Sequence, residues 1–322
     1  MSSDLVSVTL RAAGFVALFQ AAGIAFFMAI FGDRLIHAGA GIRRLGLVAA
    51  SGGILLLLTH QAFDAARMAD DFAGLFDFDL QRLALFSTGG AAHLMQALGL
   101  ALVALGLWRP KRFGSFITIA GAAFATVAFA LTGHTSVHAM RWLLVPLLVI
   151  HLAIVAFWFG ALAPLFVISK REALSDATWI LNQFSAIATW LVPCILLAGL
   201  TMAIILAPDL SVLRRPYGQL LAVKLLGFIL LMILAAFNKW RLTPMFAAGR
   251  VASGSALRRS IAIEYALIAI VLSVTAALTA FFSPEGVTSV TASGTMPGSS
   301  QRITAAVTIT PAELRWSSGR EI

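Results

Sequence analysis

Two histidines, His134 and His138, stand four residues apart in the stretch TGHTSVHAM at 132–140. Imidazole is a ligand for copper, zinc, iron and nickel, and an i, i+4 pair can present two rings on one helical face. Three more histidines, His60, His93 and His151, lie within long runs of Leu, Ala, Val and Ile. Each has company at helical spacing. His60 and Asp64 are i, i+4, so the carboxylate could orient the ring as metal-bound histidines are commonly oriented. His93 and Gln96 are i, i+3, with Met95 adjacent, and His151 and Trp158 are i, i+7. Thioether sulfur favours Cu(I), which makes Met68, Met140 and Met202 further candidates. Bland readings compete with each of these. A histidine within a span can simply hydrogen-bond between helices, and a methionine there ordinarily fills space. Gly133 could end a helix as a C-cap, which would stop His134 and His138 from sharing a face.

The elements that must position these side chains are set by composition. Of 322 residues, 60% are hydrophobic and 11% charged, against about 25% charged in a soluble domain. That balance excludes an ordinary water-soluble globule. A spanning helix needs about 20 mostly apolar residues, and eight such runs occur, near 5–31, 42–65, 83–108, 113–132, 142–168, 179–206, 217–238 and 259–282. Lipid-facing segments must pair their backbone groups internally, so these are helices of an all-α, polytopic membrane helix bundle with eight transmembrane helices. The first run is too long for a secretory signal peptide and follows Asp4 instead of a basic stretch, so it is read as a retained span.

Lys and Arg concentrate in the loops after spans one, three, five and seven, for example Arg43 and Arg44, Arg109, Lys170 and Arg171, and Lys239 and Arg241. The loops after spans two, four and six hold fewer, among them Arg67, Arg141, Arg214 and Arg215. The positive-inside rule then puts both termini outside, an N-out/C-out chain. The formal charge of +9 is thereby explained by membrane orientation, not by nucleic acid. The loop after span two is acidic, with Asp70, Asp71, Asp77 and Asp79. Cys194 is the sole cysteine, so neither an intrachain disulfide nor a CxxC motif exists. Organisation follows in three parts: an N-terminal membrane half, 1–170, carrying the histidine cluster; a second membrane region, 171–282; and a Ser/Thr/Gly-rich tail, 283–322, expected to be flexible and periplasmic with a short strand at its end.

In this topology five of the six histidines sit at the outer face or in the outer half of the membrane, and only His37 belongs to an inner loop. His134 and His138 would form an outer lip, with His60, His93 and His151 converging more deeply between spans two, three and five. Polar groups inside spans mark cavities or substrate paths. Three others, Lys224, Asn238 and Glu264, are read as structural: Lys224 snorkelling outward and Glu264 pairing with the inner loop. No nucleotide-binding loop occurs, so the chain is not expected to be an enzyme that hydrolyses ATP.

The stretches FSAIATWLVPCILLAGLTMA, YGQLLAVKLLGFILLMILAAFNKWRLTP and LRRSIAIEYALIAIVLSVTAALTA, with Tyr217-Gly218, Lys224, Asn238 to Pro244 and Glu264 in that order, resemble the copper resistance D (CopD) family of bacterial inner-membrane proteins. GHTSVH at 133–138 and LVIHLAIVAFWFGAL at 148–162 are similar to its longer members. The resemblance implies an eight-helix protein of the bacterial inner (cytoplasmic) membrane, linked to copper tolerance or import. It also implies a periplasmic CopC-type copper-binding protein as a separate partner, besides the lipid bilayer. Copper is the expected ion, as Cu(I) or Cu(II). The alternative from another class is a haem-binding electron-transfer protein with His93 and His151 as axial ligands; a metal-free assembly protein is a third.

Overall fold

The computed structural model describes the chain except residues 1, 110, 207–215, 251, 282–288, 296–301, 311–312 and 318–322. The basic loop with Arg214 and Arg215 therefore lies outside the described residues, as do parts of the tail. Among the described residues, eight helices are long and apolar enough to cross a membrane, by length and composition. The spans are formed by α1 (Ser2–Phe31), α2 (Gly39–Ala69), α4 (Thr88–Trp108), α5 (Lys111–Val127), α7 (Arg141–Arg171), α8 (Leu174–Leu206), α9 (Pro216–Phe237) and α11 (Ser253–Phe281). Short helices α3 (Phe78–Leu85), α6 (His134–Val137) and α10 (Thr243–Ala247) punctuate the connections. The membrane part is thus the all-α polytopic bundle its composition demands.

Several span boundaries differ from the sequence expectation by about a turn, and two of them have a visible local cause. The third span begins at Thr88, not near residue 83, because the Ser87 side chain caps it by accepting from the Gly90 N–H at 3.0 Å. The seventh does not stop at Asn238. It continues through a π-helical turn, Asn238–Leu242, into α10, so Lys239 and Arg241 ride on helix.

Packing centres on α1, the most buried span, which touches α2, α4, α5, α7 and α11. Its contact with α7 is backbone on backbone at Gly23 and Gly160; a Cβ on Gly160 would clash with the Gly23 backbone. Small residues that let helices approach this closely supply the van der Waals contact that associates spans in lipid. α8 and α9 are the least buried spans and carry exposed Trp190, Leu197, Leu226 and Ile233, as a lipid-facing flank should.

Beyond α11 the Ser/Thr/Gly-rich composition predicts a flexible tail with a short strand at its end. Strands β1 (Ser289–Thr295), β2 (Arg302–Thr310) and β3 (Glu313–Ser317) instead pair antiparallel in the order β1-β2-β3. The register sets Ala292 opposite Ala305 and Thr308 opposite Arg315. Thr and Val are frequent here, and β-branched residues fit a pleated surface well.

The loop ends divide the bundle into two poles. One, here the basic end, holds the connections after α1, α4, α7 and α10. The other holds the connections after α2 and α5 and is the histidine end. At the basic end the Glu172 carboxylate accepts from the backbone N–H groups of Ala38 and His37, at 2.7 and 2.9 Å, and from His37 Nδ1 at 3.2 Å. Burial alone would raise this carboxyl, but the hydrogen bonds outweigh it and hold Glu172 below its ordinary value. The contact ties the start of α2 to the α7–α8 turn.

Candidate metal centre

At the histidine end, α2 and α4 lie side by side and bring His60 and His93 into contact. His60 Nδ1 is 3.3 Å from His93 Nε2, and the rings meet edge to face with centroids 4.9 Å apart. Glycines set this approach. Gly53 on α2 has the Leu100 side chain of α4 where a Cβ would go, and Gly46 has that of Leu107. Because α4 starts at its Ser87 cap, His93 is five residues into the helix, about 8 Å deep at 1.5 Å per residue. That is shallower than the sequence suggested. His60 is deeper than expected, because α2 runs on to Ala69.

A chain of hydrogen bonds fixes the tautomers. His93 Nδ1 donates to Gln61 Oε1 at 2.6 Å, which leaves His93 Nε2 as the acceptor for His60 Nδ1–H. His60 Nε2 is then free to accept from Ser7 Oγ on α1, 3.2 Å away. Asp64 completes the group: its Oδ2 is 3.9 Å from His93 Nδ1, while its Oδ1 accepts from Arg67 Nη1 at 3.4 Å. The carboxylate expected to orient His60 therefore faces His93 instead. Arg11 of α1 also lies within electrostatic reach of Asp64. His60, Gln61 and Ser7 are buried, and Gln81 stitches the loop above by donating to Ala62 and Leu75 carbonyls. Two aspartates of the acidic loop, Asp71 and Asp77, serve as helix caps.

His60, Asp64 and His93 each offer one ligand atom within 4.8 Å of the others, the group among the described residues that could hold a metal ion. The donors fit a transition metal. Two ring nitrogens 3.3 Å apart would subtend about 110° at an ion about 2.0 Å from each, close to tetrahedral. Two imidazoles and a carboxylate suit copper or zinc. Gln61 Nε2 is buried without a partner beside them.

The other histidines do not converge here. His151 turns to α8, with Nδ1 3.3 Å from the Ile195 carbonyl oxygen and its ring against Gly199. Lys224 of α9 is an electrostatic neighbour of His151. Trp158 belongs to the apolar core, and Met95 is half-buried on α4. Met68 and Met140 are exposed and Met202 is buried on α8. Gly133 has φ 88° and begins α6, so α5 does not carry on into the histidine pair. His138 Nδ1 accepts from the Met140 N–H at 3.0 Å in the loop; the His134 side chain lies outside the described residues. Glu264 does not reach the basic loop but accepts from Asn238 Nδ2 at 2.6 Å.

Sequence reasoning missed Ser7 and Gln61. The available signal was the amide of Gln61 within an apolar span; Ser7, close to Ser2, Ser3 and Thr9, carried none.

Fold and site together define a multi-pass helical membrane protein with a partly buried imidazole–carboxylate cluster at one end. The family described as "Copper resistance protein D" matches residues 179–278, and "Copper resistance protein D-like, N-terminal domain" matches 1–141. The chain belongs to the copper resistance protein D family. It is 29% identical over 251 residues to the "Copper transport protein CutJ" of Bacillus subtilis, an alignment covering 73% of this chain and 44% of that protein. The chain thus spans less than half the length of that relative. No solved structure matches it.

Proposed function

We propose that this protein binds copper at His60, His93 and Asp64 on the periplasmic side of the bacterial inner membrane and transfers it across or within that membrane, in the service of copper resistance and homeostasis. The convergence of two histidines from α2 and α4 at 3.3 Å, partly buried in a chain of this family, is the observation that carries the reading. The relative named as a copper transport protein supports it. The excess of Lys and Arg at the opposite pole supports an outward-facing histidine end.

Copper is the cargo here. It would take the place of the proton between His60 Nδ1 and His93 Nε2, and that proton would move to His60 Nε2, which then donates to Ser7 Oγ. Gln61 keeps His93 Nε2 as a lone-pair donor, and Ser7 holds the other edge of the His60 ring. Asp64 offsets the charge of the ion once Arg67 gives it up. His134 and His138 stand in the connection between α5 and α7 at the same pole and would receive copper from a periplasmic CopC-type donor. The chain is not an enzyme in this reading.

The test is copper content of the purified full-length protein, wild type against a His60→Ala, His93→Ala double variant. Wild type should retain copper through a desalting column and the double variant should not. Equal content in both would reject the site. An absorption spectrum of the same samples checks the haem alternative, which a Soret band would favour.

A further inference from the structure

Polar residues that the copper site leaves unused gather in the other half of the membrane, between α9 and α11. Glu264 is 4% exposed on α11 and accepts from Asn238 Nδ2 at 2.6 Å. Among the described residues, no salt bridge reaches it. The charged groups of the surrounding elements are directed elsewhere. Lys239 donates to Thr189 Oγ1 on α8 at 2.7 Å, Arg258 to the Ser169 carbonyl on α7, and Arg34 stacks on Trp179. Tyr265 stacks on Phe159. Arg241, Arg259, Lys170 and Arg171 belong to the basic end, and Lys224 lies toward the histidine end beside His151.

A buried carboxylate without a cation carries a desolvation cost that one amide hydrogen bond does not offset. The neighbouring atoms show what is missing. Asn238 Oδ1 is buried with no partner, and so is Ser260 Oγ, one turn before Glu264 on the same face. An amide oxygen left without a donor beside a carboxyl is matched when that carboxyl is an acid: its O–H donates to the amide oxygen while the amide N–H donates back. Asn238 also opens the π-helical turn Asn238–Leu242, and single π turns occur in helices frequently at functional sites. The donors are all oxygen, a poor set for Cu(I), so a second copper site is disfavoured.

We propose that Glu264 and Asn238 form a proton-binding site, in which Glu264 carries a proton at neutral pH and releases it to water at the basic end as copper moves through the protein. Copper passage and proton passage are then coupled through one carboxyl. The coupling rests on the copper reading above; the proton site itself does not.

Two measurements separate them. Infrared difference spectra of the purified full chain, neutral against alkaline pH, should show loss of a protonated-carboxyl C=O band. That band should be absent in Glu264→Gln, kept in Asp64→Asn, and shifted to higher wavenumber in Asn238→Leu, which removes its hydrogen-bond partner. A wild-type spectrum without the band, or a band unchanged in Glu264→Gln, overturns the proton site whatever copper does. In proteoliposomes, copper uptake by wild type should respond several-fold to an imposed pH gradient. Glu264→Gln should bind copper at wild-type stoichiometry and lose that response. An equal response in both overturns the coupling. Absence of any wild-type uptake defeats the transport reading and leaves the infrared result to decide the site.

Discussion

Gln61 offers the sharpest separation of a role in copper binding from a role in folding. Its Oε1 accepts from His93 Nδ1 at 2.6 Å, while its Nε2 is buried with no partner. Replacement by leucine, of similar size, removes both atoms. Losing the hydrogen bond costs about 1 kcal/mol and leaves the His93 N–H underserved, about 1–3 kcal/mol more; removing the orphaned amide N–H returns about 1–3 kcal/mol. The terms oppose, so the copper-free protein should change in stability by only about 1 kcal/mol. Binding has no such offset. Without Gln61 the tautomer that aims His93 Nε2 at the ion is no longer enforced, and loss of a partner of this kind typically weakens metal affinity 10–100-fold, or about 1.4–2.7 kcal/mol. Titration of the detergent-purified protein against a competing chelator measures the affinity, and a thermal melt of the copper-free sample measures the stability. Gln61→Glu, which keeps an acceptor at that place, should retain binding. Unchanged affinity in Gln61→Leu would refute the assigned role, as would a large loss of stability accompanying any change.

Other consequences follow from single contacts. Asp64→Asn should weaken copper binding by about tenfold or more, since the neutral amide cannot offset the charge of the ion; chelator competition reads this directly. Gly160→Leu forces a side chain into the Gly23 backbone and should destabilise the bundle by about 3 kcal/mol or more, seen as a lowered melting temperature in detergent. A neutral result there would show the two helices free to part. Glu172→Gln tests the basic-end tie. Because Glu172 sits below its ordinary value in the fold, its contribution is fully present at neutral pH and is lost as pH falls through the folded-state value. The stability gap between wild type and Glu172→Gln should therefore be open at neutral pH and close on acidification below the ordinary carboxylate range of about 4.5. A gap that widens on acidification would contradict this.

The eight spans were legible because hydrocarbon admits few answers: about 20 apolar residues in a row must be a helix. Two of the boundaries that moved did so for local reasons a hydropathy window averages away, a serine cap at Ser87 and a π turn at Asn238. His60, His93 and Asp64 could be singled out as residue types in costly places. Their convergence could not, since it depends on how α2 and α4 are rotated, and that rotation is set by Gly46 and Gly53 receiving leucines of α4. The same limit misplaced His151, whose ring faces α8. Gln61 was passed over because neighbours at i, i+1 do not share a helical face. It acts across to the next helix instead of along its own. Asp64 was linked to His60 by spacing, yet its carboxylate reaches toward His93 for the same reason.

X-ray absorption at the copper edge of the copper-loaded full chain tests the central claim most directly. The structure predicts imidazole scattering with nitrogen and oxygen neighbours, and loss of that imidazole signature in the His60→Ala, His93→Ala variant. Sulfur ligation in the wild type, or the same spectrum from both proteins, would place copper somewhere other than between α2 and α4.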